Sequence, residues 1–203
     1  LEALREKVNK DGFAFSDAYF KMDADITLPD GWKPIGATKD GRVNLQKGAN
    51  LNAFSGIFDG AGHTITVPEG GLPLFGYVRN TRIRNLNIYG KKIAGYGLVN
   101  NFEGVGLSGS AVEIDNVTLK SGSSTLKSGL LGANKTVNGY AGCSAAFVAT
   151  ITNCTIEKGV VVGYDKKQSQ IGAIAGRMQG TIKNCVSYAD VYGTDYVGGI
   201  IGT

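Results

Sequence analysis

One short phrase, Ile-x-Asn followed by an apolar residue, recurs along this chain and limits the folds open to it. It reads Ile83-Arg84-Asn85-Leu86, Ile114-Asp115-Asn116-Val117, Ile151-Thr152-Asn153-Cys154 and Ile182-Lys183-Asn184-Cys185. A second phrase, apolar residues beside glycine, alternates with the first. Its copies are Leu74-Phe75-Gly76, Gly97-Leu98-Val99-Asn100, Gly129-Leu130-Leu131-Gly132, Ala173-Ile174-Ala175-Gly176 and Gly199-Ile200-Ile201-Gly202. Counted at their last residues, these copies are 24, 32, 44 and 26 residues apart. Self-similarity at such a period belongs to repeat architectures. No helical spacing separates the phrases, so each repeat holds several short strands. The expected fold is all-β, a parallel β-helix or solenoid with a bare rung of about 25 residues. Each strand then pairs in parallel with its counterpart one turn on.

The longer steps are rungs carrying inserts, expected near 37–52, 101–110, 133–148 and 159–170. Insertions in repeat proteins map to loops, often on one binding face. The chain reads as a single β-helix segment over 1–203, with rungs from 19 to 203. Residues 1–12 form a short N-terminal capping α-helix. Leu1, Leu4 and Val8 share a face there, Glu6 precedes Lys10 by four, and a cap covers the open end of a solenoid. Tyr19 to Leu28 alternates as one half-buried strand, with Phe20, Met22, Ala24, Ile26 and Leu28 on the inner side.

The asparagine has a structural explanation. Apolar alternation runs through Ile83 and then changes phase, because Leu86 and Ile88 form the next inward pair. A phase break requires a bend, and Asn tolerates the left-handed conformation that a bend needs. Stacked from rung to rung, Asn85, Asn116, Asn153 and Asn184 are expected to form a hydrogen-bonded ladder. The 31 glycines and only 4 prolines suit the same picture of short strands and tight turns.

Net charge is +4, too mild for a nucleic-acid binder, and no aromatic-basic groove pattern accompanies it. No stretch approaches the 18 or so apolar residues of a membrane span, so no membrane insertion is expected. The chain begins at Leu1 and ends inside a repeat, which reads as a piece of a longer protein. The rest of that parent chain is therefore an expected partner. The cysteines, Cys143, Cys154 and Cys185, have no CxxC spacing. Cys154 and Cys185 occupy the same place in successive repeats. They are read as small buried hydrophobes, with a stacked disulfide as the alternative.

The segments YFKMDADITL (19–28), WKPIG (32–36), FSGIFDGAGHTI (54–65), LFGYV (74–78), TRIRNLNI (81–88), TIKNC (181–185) and DYVGGIIGT (195–203) together resemble bacterial cell-surface proteins with GLUG-type repeats. Similar repeats occur in the N-terminal region of streptococcal IgA-cleaving metallopeptidases. The resemblance implies a right-handed β-helix of pectin-lyase-like form, at an extracellular location on a bacterial surface or secreted. The metallopeptidase motif of those proteases is absent here, so no peptidase activity is carried over.

Two functions compete. The first is a non-catalytic surface module, an adhesin-like binder or rigid stalk. Lys39 and Arg42 in the first long loop, with Tyr140 and Tyr164 in later inserts, are its candidate contacts with a glycan or a host surface protein. The alternative is a polysaccharide-active lyase or glycoside hydrolase, which usually needs two carboxylates about one bond. The nearest sequence pairs are weak. Asp23 and Asp25 lie on an outward strand face, where a calcium site with Asp30 is the other reading. Asp59 and His63 bracket a glycine turn, and structural use explains them as well as acid-base work does. The basic group Arg79, Arg82, Arg84, Lys91 and Lys92 suggests an acidic polysaccharide. However, Arg82 aligns with Glu113 and Arg84 with Asp115 one repeat on, so a cross-strand charge ladder accounts for those two. No catalytic residue, cofactor or metal ligand is assigned.

Overall fold

The computed structural model describes residues 1–37, 52–103, 112–132 and 148–203. Helix α1 (Glu2–Asn9) is followed by β1 (Tyr19–Lys21), β2 (Ile26–Thr27), β3 (Ile57–Asp59), β4 (Thr64–Thr66) and β5 (Phe75–Arg79). Next come β6 (Arg82–Tyr89), β7 (Val99–Glu103), β8 (Val112–Leu119), β9 (Ser124–Thr125), β10 (Val148–Thr152) and β11 (Thr155–Ile156). The last are β12 (Val161–Val162), β13 (Ile171–Gly172), β14 (Gln179–Lys183), β15 (Val186–Ser187), β16 (Asp190–Val191) and β17 (Val197–Gly198). The protein is all-β apart from α1, and all of these strand pairs are parallel.

The main sheet runs β1-β3-β6-β8-β10-β14. Its strands pair with their counterparts one repeat on: Ile83 with Ile114, and Ile151 with Ile182. The inward members of these pairs form a continuous apolar column in which Ile83, Ile114 and Ile151 are fully buried. A second column joins the apolar-glycine phrases through isolated bridges, Ile35–Phe75, Val99–Leu131, Leu131–Ala175 and Ala175–Ile201, with Phe75 paired to Val99. The Pro34-Ile35-Gly36 segment is therefore the first copy of that phrase, which spacing alone did not reveal. Aromatic residues fill the N-terminal half of the core, with Phe75 stacked on Phe54 at 5.3 Å and edge-on to Phe58 at 5.5 Å. Such pairs add about 0.5–1.5 kcal/mol beyond the area they bury.

At Gly97 and Gly129 glycine is a packing requirement, although Ala173 carries a methyl at the same place one repeat on. A methyl group on Gly97 would sit 1.9 Å from the Gly129 carbonyl oxygen, and one on Gly129 would sit 1.8 Å from that of Ala173. The backbone of one repeat passes over the glycine of the repeat before it, and a side chain would occupy the same space.

The structure departs from the sequence reading in two places. Tyr19 to Leu28 is not one strand, because β1 and β2 are separated by a bend at Asp23–Asp25 and Ala24 is exposed. The first repeat turns its corner there and the second at Gly60–Gly62, as the later ones do at their asparagines. The segment 159–170 is not all insert either. It contains β12, the middle strand of the sheet β16-β12-β9.

Helix α1 packs Val8 into the core, with Leu1 and Leu4 against it. Asn9, 5% exposed, fastens the helix to the next segment. Its Oδ1 accepts the Gly36 and Ala37 N–H groups at 2.8 and 3.1 Å, and its Nδ2 donates to the Pro34 carbonyl at 2.9 Å. The Glu6–Lys10 ion pair forms at 2.8 Å.

Candidate functional site

The outward side of the main sheet is fixed by the inward one. With Ile83, Ile114 and Ile151 buried, the residues on either side of each must face out, since side chains alternate along a strand. Arg82 and Arg84, Glu113 and Asp115, and Thr150 and Thr152 thus line up in two short columns. Together they line an open groove of about 330 Å³. It brings two guanidinium groups, two carboxylates and two hydroxyls onto one face.

The partners of these groups decide what the groove can do. Arg82 Nε donates to Glu113 across the strands. Both side chains are well exposed, at 47% and 39%, so the pair contributes about 0.2–1 kcal/mol. Arg84 does not turn to Asp115, although the two residues are in register. It turns back one repeat, donating from Nε to Asp59 Oδ2 at 2.9 Å and lying 5.7 Å from the Tyr19 ring centre. The buried Asp59 carboxylate offers it a less hydrated partner than Asp115 does. Asp115 Oδ1 in turn accepts Thr152 Oγ1 at 2.6 Å and Asn153 Nδ2 at 2.7 Å. Every ionised group in the groove is bonded to a neighbouring strand.

Asp59 sits at the end of this network with its side chain 8% exposed. Its Oδ2 accepts the Tyr19 hydroxyl at 2.7 Å as well as Arg84, and its Oδ1 accepts the Ala61 N–H at 2.9 Å and Asn85 Nδ2 at 3.1 Å. Burial alone would push this carboxyl up. The bonds from Tyr19, Ala61, Asn85 and Arg84 outweigh it and hold Asp59 well below the usual carboxylate range. A carboxylate with four donors has no lone pair directed at a substrate, so its role is structural.

The asparagines all have positive φ, 52° at Asn85 and Asn116, 56° at Asn153 and 55° at Asn184. Their ladder is broken once. Asn116 donates to Asn85 at 2.9 Å and Asn184 to Asn153 at 3.3 Å, but Asn153 reaches Asp115 rather than Asn116. A carboxylate beside the column is a stronger acceptor than an amide oxygen. Replacing Asn116 by Val is expected to cost about 1–2 kcal/mol for forcing a branched side chain into the left-handed region. Asn116→Gly should stay within about 0.5 kcal/mol of the parent. Urea unfolding of the two variants side by side checks this contrast.

The remaining sequence candidates are dispersed. His63 Nδ1 lies 3.3 Å from Asp25, not beside Asp59, and Asp25 also accepts the Thr64 N–H at 2.8 Å. No group of three His, Cys, Asp or Glu side chains among the described residues is placed to hold a metal ion. Arg79 lies over Tyr77 and Lys92 pairs with Glu69 at 3.3 Å, so much of the basic group has local partners. Tyr164 is half-buried just after β12, its N–H bonded to the Thr125 carbonyl at 3.1 Å. Lys39, Arg42, Tyr140 and Cys143 lie outside the described residues. The sequence reading missed the Tyr19–Asp59–Arg84 cluster. Its members are 40 and 25 residues apart, and only the register brings them together.

These features define an all-β protein of parallel sheets with a self-paired polar groove. No family model, no curated protein and no solved structure matches the chain.

Proposed function

We propose that this chain is a non-catalytic, right-handed parallel β-helix module of a bacterial cell surface, of the GLUG-repeat kind. It serves as a rigid scaffold that presents its corner loops. The observation that carries the reading is the state of the groove. Glu113 is held by Arg82, and Asp115 by Thr152 and Asn153. Each acid already spends one oxygen on a neighbouring strand or its corner, which supports a structural use over acid-base work. Parallel pairing of each strand with its copy one repeat on supports the β-helix, since such stacking winds the chain around one core.

Binding is assigned to the inserts expected from the sequence, with Lys39, Arg42, Tyr140 and Tyr164 as the contacts for a glycan or a host surface protein. Tyrosine offers a flat face for a sugar ring, and the two cations offer hydrogen-bond donors.

A glycan array run beside a depolymerisation assay on pectic and host glycans tests the proposal. Capture of one glycan class without product release is the expected result, and Tyr164→Ala should weaken it while leaving the fold intact. Release of unsaturated or reducing sugar, abolished by Glu113→Gln or Asp115→Asn, would overturn the non-catalytic reading in favour of the polysaccharide-active enzyme. Silence in both assays would remove the binding role and leave a spacer.

A further inference from the structure

Cys154 and Cys185 are free thiols at the same place in consecutive repeats. Thr155 and Ile156 pair with Val186 and Ser187 immediately beyond them. Their surroundings repeat as well. Cys154 Sγ lies 3.2 Å from the Thr152 carbonyl oxygen and Cys185 Sγ 3.3 Å from that of Lys183, each two residues upstream. Each thiol also faces an isoleucine carbonyl one repeat earlier, Ile114 at 3.9 Å and Ile151 at 3.6 Å. The two side chains therefore hold equivalent orientations, stacked one strand spacing apart, about 4.8 Å. The Cys154 N–H itself donates to Cys185 Sγ at 3.4 Å.

We propose that Cys154 and Cys185 form a disulfide under oxidising conditions, stapling the last repeat to the one before it. The spacing of adjacent strands falls inside the Cα window that a disulfide accepts, about 4.4–6.8 Å. What separates the sulfurs from a bond is rotation of one side chain and a small inward shift of the backbone. That shift is kept small by the pairing of Thr152 with Lys183 and of Thr155 with Val186 on either side of the two cysteines. Among the described residues β15 pairs only with β11, and Val186 and Tyr188 beside Cys185 are exposed.

The oxidant is a small-molecule disulfide such as oxidised glutathione. Half-buried Cys185, the more accessible of the two, gives its proton to solvent and attacks that disulfide. The reagent's S–S bond breaks, one glutathione thiolate leaves, and a mixed disulfide forms on Cys185. Cys154 then loses its proton and attacks the Cys185 sulfur, expelling the second glutathione thiolate. Two protein thiols give up two protons and two electrons, and one glutathione disulfide becomes two thiols. Burial pushes the Cys154 thiol up to about 12. The second step is therefore the slow one, and it accelerates roughly tenfold per pH unit near neutrality.

The test uses the 203-residue chain with Cys143→Ser, incubated with oxidised glutathione, then alkylated and mapped by mass spectrometry. The chain should lose the mass of two hydrogens and yield a Cys154–Cys185 linked peptide. Its unfolding midpoint should rise by roughly 5–10 °C and fall back on reduction. Adding Cys185→Ser should remove both the linkage and the shift. Overturning results are a glutathione adduct that persists on Cys185 with Cys154 still reduced, or two thiols that stay fully alkylatable after prolonged alkaline oxidation. If Cys143→Ser fails to fold, the same map on the parent chain decides, and a disulfide that includes Cys143 would count against the proposal.

Discussion

Asp59→Ala should lower the stability of this protein by about 2–4 kcal/mol, because it strands a guanidinium and three further donors around an emptied site. Asp59→Asn should recover part of the loss, since an amide oxygen in the place of Oδ1 still accepts from Ala61 and Asn85, but it leaves Arg84 without a counter-charge. The pH dependence carries a sign that distinguishes this carboxylate from an exposed one. Its folded-state pKa is depressed. Its contribution is thus complete above the unfolded value of about 3.9 and is lost as pH falls toward the folded one. Chemical denaturation of the parent chain should show a stability plateau above about pH 5 and a decline below about pH 4. The Asp59→Ala variant should start lower and decline less over that interval. A variant with the parent's acid slope would show that Asp59 is not the group responsible.

Gly129→Ala should be at least as damaging. The added methyl meets a backbone carbonyl oxygen at 1.8 Å, and backbone in the middle of a stack cannot swing aside as a side-chain end does. The expected loss is about 3 kcal/mol, read as a large fall in urea midpoint or as failure to fold. Gly199→Ala is the matched control. It occupies the equivalent phrase in the last repeat, where nothing lies within 4 Å of an added methyl. Its stability should change by no more than about 0.5 kcal/mol. Equal effects at the two positions would mean that the glycines serve chain flexibility rather than close approach.

The recurrence of Ile-x-Asn made the main sheet legible in advance, including the pairing of Arg82 with Glu113 and the bend at each asparagine. Periodicity reports which residues share a column, and the columns formed as spaced. It does not report which way a long side chain leans within its column. Arg84 had two acids within reach, and the buried one on the preceding strand took it, a choice set by solvation that no spacing encodes. The ladder failed at Asn153 for a related reason, because Asp115 was the better acceptor beside it. The first repeat was read as straight because Asp23–Asp25 turns the corner without an asparagine. Nothing in the sequence marks Asn9 as more than a helix-end polar residue, and only its three bonds to Pro34, Gly36 and Ala37 show that it is a fastening.

The bonds between successive repeats join residues 25, 31, 37 and 31 positions apart, yet the register holds across the described residues. The frame is thus indifferent to how much chain is spent at its corners. Loop closure grows only slowly with length, at about 0.6 kcal/mol per doubling, so a corner that gains a dozen residues does little to the stack beneath it. Chain added between two paired strands should therefore leave the pairing, and with it the strand spacing, as it is.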